Sequence, residues 1–296
     1  MHTSERKGGF FGYGMCNPVI KKMAEKSEAQ EFDPNETAAS YNGIIGKTLY
    51  FLVFCLAGLG IFFPLHNMFM ASPDSYGGKN IIENIKNLEG IIKLETCGTE
   101  TAIFAIAAII VFISPLIAWL IRPAIPVFGS LYALCEGYFI GVVTEALMPD
   151  YRRIAFAALV ITVVLVATML FLYKREYIKV TKKFTMIVFT LFITSAFSGV
   201  LIYLLSLVPF LRPIISPMTD FMGTPVVSIV LSVVYIIIAA LFLLVDFDVI
   251  KRCVEENMPK KYEWMAAFGL TYTVIYIYFK ILNLIMQITS VGQKKE

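Results

Sequence analysis

The sequence predicts an all-α integral membrane protein, built as a bundle of seven transmembrane helices. Composition is the first reason: 58% of the 296 residues are hydrophobic, only 16% are charged, and the mean hydropathy is +0.74, whereas about a quarter of the residues in soluble domains are charged. The second reason is a set of apolar segments, each near the ~20 residues that cross the hydrocarbon core of a bilayer. They comprise residues 49–71, 102–121, 124–147, 154–173, 184–210, 226–245 and 264–288.

These segments are predicted to be helices because each is continuously apolar, without the alternation of a membrane barrel strand, and a helix satisfies its backbone groups internally. They form one membrane domain, residues 48–290. Residues 1–47 are polar and are expected to form a cytoplasmic segment with little fixed structure, and residues 291–296 a short polar tail. No cleaved signal peptide is expected, since the first apolar run begins only at Leu49.

The distribution of Lys and Arg predicts that the N-terminus is inside and the C-terminus outside. With this orientation the inner segments carry about twice as many Lys and Arg residues as the outer ones, and short basic loops resist translocation. Residues 211–225 contain Pro213, Pro217 and Pro225, and they are expected to turn at the outer face without continuing a helix. Of the five cysteines only Cys97 then faces the outside, so no disulfide within the chain is expected.

The third segment carries a packing pattern of small residues. Gly129, Ala133, Gly137 and Gly141 recur every four residues, and small residues at this spacing allow a second helix backbone to approach closely in lipid. The pattern predicts a helix-packing face.

Glu136 lies halfway along the third segment, where an ionised side chain costs at least ~2.5 kcal/mol on insertion scales. It is therefore expected to face the interior of the bundle, a partner or water. Two interpretations remain: a hydrogen-bonded carboxyl group that holds two helices together, or a residue on an ion or proton path, which intramembrane carboxylates usually mark.

Lys280 is the second charged residue at membrane depth, with apolar residues on both sides. The third and seventh segments both run from inside to outside, and the depths of Glu136 and Lys280 counted from their inner ends differ by about 6 Å. A lysine stem can cover that distance. The sequence therefore predicts an ion pair between Glu136 and Lys280.

Two aspartates, Asp246 and Asp248, follow the sixth segment in the stretch LLVDFDVIKR. Because they lie about 200° apart around a helix, they cannot share one face, and Asp246 is the better inward candidate. Asp248 has the spacing to pair with Lys251 or Arg252, or it is simply an interfacial helix end.

The hairpin between the sixth and seventh segments keeps Asp246 away from Lys280. In a straight hairpin folded about Met258 and Pro259, the two residues differ in depth by roughly 13 Å. No pair between them is expected unless a helix kinks.

Other classes of site have little support in the sequence. The two histidines, His2 and His66, lack the spacing of a zinc site, and no HExxH motif occurs. Ser198 has no membrane histidine to act as its base. There is no basic, aromatic-laced patch for nucleic acid. We therefore expect no enzyme activity, no metal, no cofactor and no nucleic-acid partner.

Several sequence blocks, spread over nearly the whole chain, carry a specific resemblance. They are NPV (17–19), YNGIIGKT (41–48), LYALCEGYFIG (131–141), YIKVTKKF (177–184), LLVDFDVI (243–250), KYEWMAAFGL (261–270) and IYFKILNLI (277–285). In this order they resemble the Bax inhibitor-1 family, in particular its bacterial YccA-like branch.

The resemblance implies a seven-helix fold with the last helix central, a location in the bacterial plasma membrane (the inner membrane in a Gram-negative cell), and a pH-sensitive calcium-leak or cation-homeostasis activity. In some bacterial members it also implies binding to a membrane-embedded protease. The pH sensor of the family is a pair of carboxylates. Asp246 matches the first by local motif, and Lys280 stands where the second is expected. A fixed positive charge there repels Ca²⁺.

Two functional hypotheses follow. In the first, the protein is a cation leak with Glu136 lining the path, Asp246 at its inner mouth, and Lys280 as a counter-charge that holds the gate. In the second, it is a non-conducting interaction protein that modulates a membrane protease or a stress response and docks through residues 1–47. In both cases the lipid bilayer is a partner, while Ca²⁺, other cations or protons are partners only in the first.

Overall fold

Eight α-helices and one short β-hairpin make up the described part of the chain, which in the computed structural model comprises residues 38–83, 93–147, 152–206, 210 and 212–293. The helices are α1 (Tyr41–Ala71), α2 (Gly98–Leu120), α3 (Ile125–Ala146), α4 (Arg152–Lys174), α5 (Lys182–Ser206), α6 (Arg212–Met222), α7 (Pro225–Glu255) and α8 (Tyr262–Gln293). The antiparallel strands are β1 (Lys79–Glu83) and β2 (Lys93–Cys97). Most of the predicted N-terminal segment and the last residues of the tail lie outside the described residues.

Each predicted apolar segment coincides with one of the long helices, α1 to α5, α7 and α8. In the described residues, six helices are long and apolar enough to cross a membrane: α1, α2, α3, α4, α7 and α8. The predicted fifth span overlaps α5, and the count of seven spans and the orientation of the termini stay predictions. Below, the inner end of the bundle means the end that carries the α7–α8 turn.

Several helices extend beyond the apolar segments that predict them. α1 begins at Tyr41 rather than at residue 49, and α7 continues through Asp246 to Glu255. Hydropathy marks only the part of a helix that lies in the hydrocarbon core. The backbone hydrogen bonds of the helix continue into polar surroundings until a cap or a turn ends them. At α1 the cap is Ser40, whose side chain accepts a hydrogen bond from the backbone N–H of Gly43 at 3.0 Å.

The proline-rich connection before α7 contains a short helix that the sequence did not predict. Residues Arg212–Met222 form the short helix α6, with Pro217 inside it. Pro213 stands in the first turn, where its missing N–H would have no helical partner in any case, so it is compatible with a helix start. In so short a helix Pro217 removes a single backbone hydrogen bond, that to the carbonyl of Pro213.

The β-hairpin in the long loop between α1 and α2 is a feature that the sequence did not predict. A 3-10 turn, Pro73–Tyr76, leads into it and ends at Gly77, which has a φ of 96°. The hydroxyl of Thr99 donates to the carbonyl of Tyr76 at 3.1 Å, and a Cβ on Gly77 would lie 3.3 Å from the Cα of Gly98. These contacts attach the base of the hairpin to the first turn of α2.

The helices α1 and α3 cross with their backbones in direct contact. A Cβ placed on Gly137 would lie 1.8 Å from the carbonyl oxygen of Cys55, and one on Gly58 would lie 2.0 Å from that of Leu134. The other members of the small-residue row of α3 also pack inward: Gly129 lies against the ring of Phe51, Gly141 against that of Phe62, and Ala133 is fully buried. Contact between main-chain atoms of this kind needs glycine, since any side chain would separate the two helices.

The last helix, α8, lies at the centre of the bundle. It packs against α7, α1, α4 and α3, and it contributes the fully buried residues Ala267, Thr271 and Ile277. Large apolar side chains on the outer helices point away from the core, such as Phe112, which is 75% exposed, and Leu56, which is 64% exposed. An exposed apolar surface of this extent indicates contact with lipid.

Candidate functional site

Asp246 lies in the interior between α7 and α8. The side chain of Thr273 lies close enough to interact with it, while the Thr273 hydroxyl donates its hydrogen bond to the carbonyl of Gly269 at 3.2 Å. The Oδ1 atom of Asp246 lies 3.8 Å from the position that a Cβ on Gly269 would take. Its Oδ2 atom is buried and has no hydrogen-bond partner within the described part of the chain. A buried carboxylate oxygen without a partner is costly, and such groups at membrane depth mark ion or proton sites.

Glu136 lies where α3 meets α1 and α8. Tyr132, one turn earlier on the same helix, lies close enough to interact with it. Cys55 of α1 and Tyr272 of α8 are close enough to interact with it electrostatically, and the rings of Tyr132 and Tyr272 are 5.4 Å apart. The carboxylate is therefore surrounded by hydroxyl and thiol groups rather than by a cation.

One turn of α8 connects the two carboxylates. Tyr272 lies beside Glu136, and the next residue, Thr273, lies beside Asp246. Because consecutive residues of a helix point about 100° apart, Glu136 and Asp246 lie at similar depth on adjacent faces of α8. Sequence reasoning had considered the two residues separately, and it missed α8 as the element that brings them together.

The predicted ion pair between Glu136 and Lys280 is not formed. Within the described residues the contacts of the Lys280 ammonium are with two rings, that of Tyr235 at 4.8 Å and that of Tyr276 at 5.2 Å. Side chains of a helix lean toward its N-terminus, so the Glu136 carboxyl lies over the preceding turn, beside Tyr132. Counting residues gave the relative depth of the two residues but not this direction.

Lys280 also lies apart from Asp246, as the hairpin count predicts. Asp246 faces Gly269 and Thr273, whereas Lys280 faces Tyr235, eleven residues before Asp246 on α7. At 1.5 Å per residue, Lys280 lies about 10 Å beyond Thr273 toward the outer end. Asp246 and Lys280 therefore form no pair.

Asp248 has the partner that its spacing suggests. Its Oδ2 accepts a hydrogen bond from Arg252 Nε at 2.7 Å, four residues along α7, and Tyr173 of α4 donates to its Oδ1 at 3.4 Å. These contacts hold the inner ends of α4 and α7 together, so Asp248 lies in an ion pair and not beside Asp246.

A buried ion pair at the inner end was missed by the sequence reasoning. Glu263, in the first turn of α8, is 0% exposed and pairs with Lys47 of α1. It also accepts a hydrogen bond from the backbone N–H of Ser40 at 2.9 Å, and the Lys47 ammonium lies 5.2 Å from the ring of Trp264. Charged residues at span ends are ordinarily interfacial, so no signal in the sequence pointed to a buried pair.

A second missed cluster lies at the outer end. His66 of α1 forms a 2.7 Å contact with Glu100 of α2 and stacks on Phe62. Glu100 Oε2 and the hydroxyl of Tyr138 are buried without partners in the described residues. Over that same part of the chain, no three His, Cys, Asp or Glu side chains come together in a group that could hold a metal ion.

Comparison with known proteins assigns the chain to a family. A sequence model of the family described as Bax inhibitor 1 like matches residues 17–290. No curated protein and no solved structure matches the chain. The family match covers nearly all of the sequence and includes the helices that carry Glu136, Asp246 and Lys280. The chain is therefore a multi-pass membrane protein that belongs to the Bax inhibitor 1 like family.

Proposed function

We propose that this protein is a cation leak that contributes to ion homeostasis in the plasma membrane of a bacterium, with Glu136 and Asp246 on the ion path. The observation that carries the proposal is the pairing of both carboxylates with one turn of α8. Neither has a cation partner among the described residues, and Asp246 has an unpartnered oxygen. Two negative groups inside a bundle attract cations.

Calcium is the proposed ion, as the resemblance to the YccA-like branch implies, and we propose that the chain belongs to that branch. Tight calcium sites supply six to eight oxygen ligands, often from several carboxylates. In the described residues no three His, Cys, Asp or Glu side chains come together, and Glu136 and Asp246 lie beside the hydroxyl groups of Tyr132 and Thr273. Such a path binds the ion weakly and lets it leave, which passage requires. We propose seven spans with the N-terminus inside, and no enzyme activity.

Calcium release from proteoliposomes tests the proposal. Vesicles loaded with calcium and containing the wild type should release it faster than empty vesicles, and Glu136→Gln should slow the release about tenfold, because it removes a unit charge from the path. Asp220→Asn, at an exposed position of α6, is the matched control and should leak like the wild type. If neither the wild type nor Lys280→Asp leaks at any pH from 5 to 8, the channel function is refuted.

One observation favours the second hypothesis, an interaction protein that modulates a membrane-embedded protease. The backbone N–H of Ala39 donates to the carbonyl of Met258 at 2.7 Å, next to an isolated bridge between Ala38 and Pro259. The end of the N-terminal segment is thus attached to the α7–α8 turn, where a cytoplasmic partner could contact both.

Deleting residues 2–36 tests this second function. The deletion leaves Ser40 and its bonds to Glu263 in place, so the bundle should fold as before. Co-purification with a membrane-embedded protease should then be lost. If the truncated protein still co-purifies with the protease, the N-terminal segment is not the docking element.

A further inference from the structure

The positive charge of Lys280 is not balanced within the described part of the chain. Six carboxylates of the described helices have other partners or neighbours: Glu100 with His66, Glu136 beside Tyr132, Asp246 beside Thr273, Asp248 with Arg252, Glu255 with Lys251, and Glu263 with Lys47. The other two acidic residues of these helices are Glu145 and Asp220, and Lys280 forms no ion pair with either of them. α5, which packs on α7, has no acidic residue in its sequence. Two tyrosine rings face the ammonium, and they stabilise a cation without neutralising it.

Asn283, one turn beyond Lys280 on α8, adds a second hydrogen-bond donor to the Lys280 ammonium. Ser232 of α7 donates to Gln287 Oε1 at 3.1 Å, and Gln287 Nε2 donates to Asn283 Oδ1 at 2.6 Å. These bonds leave the amide N–H groups of Asn283, an exposed residue, without a partner in the described residues. Lys280 and Asn283 are three residues apart and lie on one side of α8. We call these two residues the donor patch.

We propose that the donor patch is a docking site for a membrane-spanning helix of another protein that carries a carboxylate side chain at the same depth. A carboxylate is the group that accepts hydrogen bonds from an ammonium and an amide together and also neutralises the ammonium. Within a membrane a polar group of this kind is satisfied by a complementary group on an adjacent helix.

Other occupants fit the donor patch less well. Two copies of this chain related by a two-fold axis through the patch would bring Lys280 against Lys280, and like charges repel. A phospholipid headgroup lies at the membrane surface, whereas Lys280 is eight residues before the end of the apolar segment at residue 288, about 12 Å along the axis. A lysine stem spans only a fraction of that distance. A carboxylate built into a partner helix can lie at this depth.

Designed transmembrane peptides provide the test, independently of whether the protein conducts ions. Two leucine-rich peptides differ only in a central Glu or Gln, and energy transfer reports their binding to the full-length protein in liposomes. The Glu peptide should bind the wild type at least about tenfold more tightly than the Gln peptide, the difference expected when a charge pair replaces a neutral bond. Lys280→Met should abolish that preference, whereas Lys183→Met, at an exposed position of α5, should keep it.

A charge swap separates docking from misfolding. Lys280→Glu should reject the Glu peptide and bind a third peptide with a central Lys. The proposal is overturned if the wild type binds the Glu and Gln peptides equally or binds neither, or if Lys280→Met keeps the preference. Since the readout is binding and not flux, failure here leaves the proposed ion path unaffected.

Discussion

A Gly137→Leu variant is expected to lose the packing of α1 against α3. A Cβ at this position would already lie 1.8 Å from the carbonyl oxygen of Cys55 and 2.9 Å from the backbone N of Leu59. Main-chain atoms cannot rotate away as a side chain can, so the loss should exceed the ~1–3 kcal/mol typical of overpacked cores. We expect a large fall in the melting temperature of the purified protein and in the yield of monodisperse protein.

Gly60→Leu is the matched control for this prediction. Gly60 lies on α1, and a Cβ there would meet no atom within 4 Å. The control should melt within a few degrees of the wild type, as surface substitutions usually do. If the two variants melted alike, α1 and α3 would not be in backbone contact and the helix arrangement described above would be incorrect.

Glu263→Leu is the second change with a large expected effect. It leaves the Lys47 ammonium, whose side chain is 15% exposed, without its carboxylate, and it removes the acceptor of the Ser40 backbone N–H. Removing one partner of a buried ion pair typically costs about 3–5 kcal/mol. The thermal stability of the protein should fall accordingly, with the inner end of α1 released from α8.

Two further variants separate loss of the pair from loss of a single charge. In Glu255→Leu, an exposed pair with Lys251 at 3.8 Å is broken, and exposed pairs contribute at most about 1 kcal/mol. Adding Lys47→Met to Glu263→Leu should restore part of the lost stability, because no unpaired charge then remains buried. A double variant less stable than Glu263→Leu alone would contradict a buried, paired Lys47.

The sequence predicted those features that depend on local pattern. Apolar segments located the long helices. Spacings of three and four residues gave Lys251 and Arg252 as candidate partners of Asp248, and Arg252 is the one that pairs with it. The hairpin count placed Asp246 and Lys280 at different depths, because the turn at Met258 and Pro259 fixes the register of α7 and α8. Each of these inferences needs only one helix or one connection.

Features that need contacts between distant helices were not predictable in the same way. The depth count suggested Lys280 as the partner of Glu136, but the carboxyl turns toward Tyr132 on its own helix. The pairs of Lys47 with Glu263 and of His66 with Glu100 join α1 to α8 and to α2. Hydropathy along the chain carries no information on which helices are neighbours, so these pairs appear only when the bundle is assembled.

Calcium release from proteoliposomes containing Asp246→Asn is the most direct test of the proposed ion path. Asparagine keeps the size of the side chain beside Thr273 but removes the negative charge in the interior. The account predicts that release slows at least about tenfold relative to the wild type, since a buried unit charge contributes several kcal/mol to cation attraction. Release at the wild-type rate from Asp246→Asn would contradict the account.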